Sequence, residues 1–101
     1  MQYTIREQAI KDMDEIWLYT KEQWSKEQAN NYYKLLYSEI LRLAEFPHLG
    51  KQCSYIVEGM RYSIIKSHFI FYSITSSGSI DVIRVLHENR DFLQLFDNKP
   101  D

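Results

Sequence analysis

The chain has 101 residues, a net charge of −2 at neutral pH, and 45% hydrophobic and 26% charged residues. That length predicts one domain, 1–101, and excludes a large core. The slight acidity argues against a protein that works on phosphate backbones, so we expect no sequence-specific nucleic-acid binding. The single cysteine, Cys53, excludes an internal disulfide and a cysteine-based zinc site.

The amino-terminal segment, MQYTIREQAIKD, opens with a short strand pattern in which Tyr3 and Ile5 share a face. It lacks the apolar run of a signal peptide, and no later stretch approaches the length of a membrane span. We therefore expect a cytoplasmic protein without a membrane partner.

Two helices follow the first strand. Hydrophobic residues recur every three or four positions and predict an amphipathic helix that ends near Gln23. Ser25 and Gln28 then have the spacing of a capping box, which predicts the start of a second helix. This helix ends before Pro47, because proline removes a backbone donor and disfavours helical geometry at the residue before it. The short link predicts a helical hairpin, and the aromatic residues Trp17, Trp24, Tyr32 and Tyr33 are expected to pack within it.

The second half of the chain changes to strand periodicity. After the loop PHLGKQCSYIVEG, the segments MRYSIIKS, HFIFYSIT and IDVIRVLH are rich in Ile, Val, Tyr and Phe. Short links make the three strands antiparallel. The order β-α-α-β-β-β predicts an α+β fold, with a small, twisted, mainly antiparallel sheet and the hairpin on one face. A short last helix over 88–95 and a disordered tail over 96–101 complete the prediction.

The polar residues of the last strand decide between catalysis and binding. Strict alternation separates two sets of side chains, which are Val82, Arg84 and Leu86 on one face and Ile83, Val85 and His87 on the other. Arg84 and His87 then do not point together unless a bulge or twist intervenes near the strand end. A general base and an electrostatic stabiliser must converge on one reacting atom, so this arrangement favours binding.

Other candidate residues are weaker. Arg61 lies in an apolar strand, where it is either a solvated outer-face residue or a ligand for an anionic partner. Tyr37 falls toward the outer face of the second helix and is a plausible partner contact. His48, His68 and His87 lack metal-ligand spacing, so we expect no metal and no cofactor.

Four segments in a fixed order carry a family resemblance. They are AIKDMDEIWLYTKEQWSKEQANNYY, LAEFPHLGKQC, VEGMRYSIIKSHFIFYSI and IDVIRVLHENRDF. Together they resemble the ParE branch of the RelE/ParE toxin superfamily, from Tyr3 to Asp91. The matching positions are Ala9, Asp12, Ile16, Trp17, Tyr19, Pro47, Gly50, Gly59, Arg61, His68, Ile70, Phe71, Tyr72, Ile80, Arg84, Val85, Leu86, His87 and Asp91.

The resemblance implies a toxin of a type II toxin–antitoxin system with the fold predicted above. The ParE branch is associated with poisoning DNA gyrase and with neutralisation by a ParD-like antitoxin. The carboxyl-terminal segment of that antitoxin wraps the toxin and lays a helix along a groove. The partner-binding residues expected on this basis are Arg61, Arg84, His87, Arg90, Asp91, Phe92 and Tyr37.

Two alternatives remain open at this point. The RelE branch cleaves mRNA on the ribosome, and the corresponding nuclease set here is Arg61, Arg84, His87 and Arg90. The acidic net charge, the opposite faces of Arg84 and His87, and the absence of a tyrosine after the last strand speak against that activity. A degenerate relative that only binds an antitoxin is the second alternative. The segment ENRDFLQLF also departs from the ParE pattern, because Glu88 adds an acid and no late histidine follows.

Overall fold

The computed structural model describes residues 2–96. Its elements in chain order are β1 (Tyr3–Ile5), α1 (Glu7–Gln23), α2 (Lys26–Glu45), β2 (Lys51–Gln52), β3 (Met60–Ile65), β4 (His68–Ile74), β5 (Ile80–His87) and α3 (Phe92–Phe96). The predicted α+β order is confirmed, and β2 is an additional short strand that the sequence pattern does not indicate. The tail predicted to be disordered lies outside the described residues except for Phe96, which is helical.

The sheet has the strand order β1-β5-β4-β3-β2. The pairs β2–β3, β3–β4 and β4–β5 are antiparallel, while β1 pairs parallel with β5. The helical hairpin covers one face, where it forms the main core. The core members are Ala9, Met13, Leu36, Ile40, Leu43, Ala44, Ile70, Tyr72, Ile80, Val82 and Val85.

The boundaries of the hairpin follow the local sequence. The first helix ends at Gln23 as predicted, and Ser25 caps the second by accepting a hydrogen bond from the Gln28 N–H at 3.1 Å. The second helix ends at Glu45, two residues before Pro47, and a single 3-10 turn follows over Pro47–Leu49. Within residues 2–96, neither long helix is apolar enough to cross a lipid bilayer.

A bulge in β5 overturns the predicted alternation of its side chains. Phe71 pairs with Arg84, whereas the next residue, Tyr72, pairs with Val82, so Ile83 is an extra residue on β5. Val82 and Val85 therefore both face the helical hairpin, while Leu86 lies on the opposite face. The prediction that Val82, Arg84 and Leu86 share a face is wrong, because the bulge resets the alternation after Val82.

The second face of the sheet carries a smaller core built from Cys53, Met60, Phe71 and Leu86. The short helix α3 covers part of it. This helix begins at Phe92 and not at residue 88, because the backbone turns after β5 and Asp91 Oδ1 accepts the Gln94 N–H at 3.3 Å. The predicted last helix therefore exists but is shorter and starts later.

Tyr72 fastens the loop after α2 to the sheet. Its side chain is fully buried, and its hydroxyl donates to the Pro47 carbonyl oxygen at 2.7 Å and accepts from the Gly50 N–H at 2.9 Å. A Cβ atom on Gly50 would clash with this hydroxyl and lie 2.8 Å from the Tyr62 carbonyl oxygen. The glycine is thus required by space, since its φ of −69° is open to any residue.

Replacing Tyr72 with phenylalanine is expected to lower the free energy of unfolding by about 2 kcal/mol, since a buried donor and acceptor lose their partner. Urea denaturation measures the change. The control is Tyr55→Phe, because Tyr55 is 76% exposed and its change should stay within about 0.5 kcal/mol. Equal stability of the two variants would contradict the role given to the Tyr72 hydroxyl.

Candidate functional site

A groove of about 650 Å³ lies between the helical hairpin and the ends of β4 and β5. Its walls come from both long helices, from the β3–β4 turn and from the turn after β5. The lining residues are Asp12, Glu15, Ile16, Tyr19, Thr20, Trp24, Gln28, Asn31, Tyr32, Leu35, Lys66, Ser67, His68, Val85, Leu86, His87 and Arg90. We call this surface the hairpin groove.

The helical side of the hairpin groove is apolar and open to solvent. Trp24 is 71% exposed, Tyr19 is 64% exposed and Leu35 is 38% exposed. The expectation that Trp24 packs inside the hairpin is wrong, because it is the C-cap residue of α1 and projects beyond the core. Exposed aromatic side chains that line one concave surface are typical of a protein-binding site.

The strand side of the groove is polar and contains a pair of histidines. The rings of His68 and His87 meet edge to face with their centroids 5.2 Å apart. His68 Nδ1 shares a hydrogen bond of 2.6 Å with the Tyr32 hydroxyl. Burial, and secondarily the neighbouring His87, lowers the pKa of His68 to about 4, so this imidazole is neutral near pH 7.

The hydrogen bonding of His87 fixes the position of its proton. Its Nδ1 accepts the backbone N–H of Asn89 at 3.1 Å. A backbone N–H can only donate, so the neutral His87 carries its proton on Nε2. Among residues 2–96, no group of three His, Cys, Asp or Glu side chains is arranged to hold a metal ion.

Arg84 is committed to a buried ion pair. Its Nε and Nη2 donate to the two carboxylate oxygens of Asp12 on α1, at 2.7 and 3.0 Å. Asp12 is 5% exposed and also accepts the Val85 N–H at 3.0 Å. The hydrogen bond to Asp12 raises the pKa of Arg84. The Asp12 and Arg84 positions of the family pattern thus join α1 to β5, and their charges neutralise each other.

Arg61 lies at the other end of the sheet. Its guanidinium donates to the Gly50 carbonyl oxygen at 2.7 Å and to the His48 carbonyl oxygen at 3.3 Å. Ile65, four residues further along β3, aligns through His68 with His87. With a rise of about 3.3 Å per strand residue, this four-residue offset separates the Cα atoms of Arg61 and His87 by about 13 Å along the strand direction. Arg61, Arg84 and His87 therefore do not converge on one point.

The remaining predicted contact residues have separate environments. Arg90 is exposed and lines the hairpin groove, and Asp91 is exposed beside it at the start of α3. Phe92 is half-buried on the second face of the sheet, where its ring centroid lies 4.9 Å from those of Phe69 and Phe71. Tyr37 does not lie on the outer face as predicted, because its hydroxyl bonds that of Tyr3 and its ring is half-buried against the main core.

Sequence reasoning missed several residues of the groove. It assigned Tyr32 and Trp24 to packing, and it considered His68 as a metal ligand but not as a partner contact. The available signal was the register of the β3–β4 turn, which aligns Ile65 with His68 and so brings His68 beside the strand end that holds His87. The contribution of α2 to the same groove depends on tertiary packing and has no local signal.

Comparison with known proteins confirms the family resemblance. The sequence model of the family described as ParE toxin of type II toxin-antitoxin system, parDE, matches residues 3–92. The proteins named Toxin ParE1 in two Mycobacterium tuberculosis strains, CDC 1551 / Oshkosh and ATCC 25618 / H37Rv, are each 38% identical over 89 residues, which is 88% of this chain and 91% of theirs. Toxin ParE1 of Caulobacter vibrioides is 33% identical over 87 residues, 86% of this chain and 88% of its own.

A solved structure described as "Chromosomal ParDE TA system from P. aeruginosa" has a similar fold. It has a TM-score of 0.75 and 16% sequence identity, and the match covers 86% of this chain and 95% of the other. At that identity the likeness concerns the fold alone. The family assignment rests on two findings. The family model matches 90 positions, 3 to 92, and the relatives from both organisms are more than 30% identical to this chain. The chain belongs to the ParE toxin family of type II toxin–antitoxin systems.

Proposed function

We propose that this chain inhibits DNA gyrase by binding it, without catalysing a reaction, and that a ParD-like antitoxin neutralises it. Membership of the ParE family supports the toxin role. The observation that carries the non-catalytic part is the separation of the strand cations. Arg84 is neutralised by Asp12 and Arg61 is bound to loop carbonyls, so neither is available to stabilise a developing charge beside His87. A gyrase target also implies a cytoplasmic location.

The hairpin groove is the surface proposed for the antitoxin. A helix that lies in a groove presents apolar side chains at intervals of three and four residues, and the exposed Trp24, Tyr19 and Leu35 offer matching apolar walls. Aromatic anchors of this kind contribute a large share of the affinity at protein interfaces. The family description, a toxin of a type II toxin-antitoxin system, supports an antitoxin partner for this chain.

Inhibition of gyrase is tested with the purified chain and a supercoiling reaction. We expect loss of supercoiling at a modest molar excess of the chain, while mRNA in a parallel translation reaction stays intact. A protein of equal size and charge from another family controls for non-specific inhibition. Full gyrase activity at high excess of the chain contradicts the proposal, and ribosome-dependent cleavage of the mRNA would favour the nuclease alternative instead.

The antitoxin part has its own test. A short reading frame with a ribbon–helix–helix start is expected next to the gene for this chain. Its product should copurify with the chain and restore supercoiling when added to inhibited gyrase. It should also raise the melting temperature, because a partner at a thousandfold excess over its dissociation constant adds about 4 kcal/mol of stability. No copurification and no thermal shift would remove this part of the proposal.

A further inference from the structure

One end of the hairpin groove collects hydrogen-bond donors and positive charge. The β3–β4 turn and the turn after β5 are joined there by a bond of 2.8 Å from the Glu88 N–H to the Ser67 carbonyl oxygen. A second bond, from the Arg90 N–H to the His87 carbonyl oxygen at 3.0 Å, folds the chain after β5 back on itself. Lys66, His87 and Arg90 all line the groove as a result. We call this region the cationic end.

The two cations at this end are not neutralised within the part of the chain that the structure describes. Neither Lys66 nor Arg90 has a carboxylate within 4.0 Å among residues 2–96. Of the two acids that line the groove, Asp12 is held by Arg84, which leaves Glu15. Among the residues that line the groove, two cations therefore face one uncommitted acid; the exposed Glu88 and Asp91 of the turn after β5 lie outside this lining.

His87 adds a donor that is fixed in direction. Because its Nδ1 accepts the Asn89 N–H, the neutral ring has its proton on Nε2. The ring of His68 packs edge to face against it and restricts its rotation. Lys66 holds a φ of +52°, the left-handed conformation that tight hairpin turns require, and it thus lies in the short turn between β3 and β4.

We propose that the cationic end binds a carboxylate, and that the antitoxin helix places an aspartate or glutamate side chain there. The second clause rests on the proposed function. An arginine, a lysine and an imidazole N–H are the donors that carboxylates prefer, and such charged hydrogen bonds are about twice as strong as neutral ones. The cationic end is continuous with the apolar walls at Trp24 and Leu35, so one amphipathic helix reaches both.

The carboxylate site can be tested without the antitoxin. The full chain is titrated with sodium acetate at pH 7.5, in exchange for sodium chloride at constant ionic strength, and the histidine ring signals are followed by NMR. The chain has three histidines, and His48 lies outside the groove lining, so it serves as an internal reference. We expect saturable shifts of the His68 and His87 signals and no saturable shift of the His48 signal.

Acetamide is the matched neutral probe. It has the shape of acetate without the charge, and we expect its half-saturation to be higher by about 25-fold, because it loses two exposed ion pairs that contribute about fivefold each. Equal half-saturation for acetate and acetamide, or equal shifts of all three histidines, would show binding that does not depend on charge or on this site. Either result overturns the proposal.

Variants locate the binding. Arg90→Gln and Lys66→Gln should each raise the acetate half-saturation by about fivefold, whereas Lys51→Gln on the exposed strand β2 should leave it unchanged. The dispersion of the amide spectrum confirms that each variant is folded. Unchanged acetate binding in both groove variants overturns the site. A chain that binds acetate as described but leaves gyrase active refutes the proposed function and not the carboxylate site.

Discussion

Replacing Arg84 with alanine is expected to lower the free energy of unfolding by about 4 kcal/mol. The substitution leaves the Asp12 carboxylate, which is 5% exposed, with the Val85 N–H as its remaining hydrogen-bond donor within residues 2–96. A buried charge that loses its partner costs far more than an exposed one, because neither water nor another group replaces the lost interaction. A domain of this size has a total stability of about 5–15 kcal/mol, so the variant keeps about 1–11 kcal/mol and is partly unfolded only at the lower end of that range.

Urea denaturation, monitored by circular dichroism, measures this change in the free energy of unfolding. Arg6→Ala is the control. Arg6 has a 55% exposed side chain and forms an ion pair with Asp81, which lies on β5 like Arg84. Loss of this ion pair should cost about 1 kcal/mol or less. The double variant Asp12→Asn/Arg84→Met should recover part of the lost stability, since it removes both charges while the asparagine oxygen still accepts the Val85 N–H. A stability of Arg84→Ala within about 1 kcal/mol of the parent would contradict a structural role for the pair.

This expectation changes how a toxicity experiment on Arg84 should be interpreted. In the nuclease alternative, loss of activity on Arg84→Ala would indicate a catalytic arginine. Lowered stability would reduce the activity in the same direction, so Arg84→Ala does not distinguish the two functions. Arg90 is the better residue for that purpose, because its side chain is exposed and its removal leaves no buried charge without a partner.

The spacing of apolar residues in the sequence was sufficient to predict the helices and strands that bury one continuous face. The hairpin followed from apolar residues at helical spacing, with Ser25 and Pro47 marking the start and end of α2. The three long strands followed from their composition and short links. These features are local, so a single sequence carries them.

The site was less accessible to sequence reasoning, because it depends on two non-local features. The bulge at Ile83 has no glycine or proline to mark it, and it places Arg84 where it can reach Asp12 across the sheet–helix interface. The two-residue strand β2 is too short for any periodic pattern to reveal. The groove itself forms where α2 passes over the β3–β4 turn, so Tyr32 and His68 meet only in the folded chain.

Replacing Leu35 with glutamate is expected to weaken antitoxin binding by about 100-fold while leaving inhibition of gyrase intact. Leu35 is 38% exposed on the apolar side of the hairpin groove, where a bound helix would cover it. A carboxylate buried there would lose its hydration, and the residue one turn earlier on α2 that also lines the groove is Asn31, whose amide carries no charge. The expected penalty is therefore that of a charge buried without a partner.

The same helix supplies a closely matched control. Leu41 is 37% exposed, has the same side chain and lies on α2 outside the groove lining, so Leu41→Glu should bind the antitoxin with the affinity of the parent. Isothermal titration calorimetry with the product of the neighbouring reading frame gives both affinities, and the supercoiling reaction reports whether each variant still inhibits gyrase. Equal losses of affinity in the two variants would place the antitoxin elsewhere on α2. Loss of gyrase inhibition in Leu35→Glu alone, with the fold intact, would mean that the target and the antitoxin compete for the hairpin groove, and neutralisation would then be direct occlusion of the toxic surface.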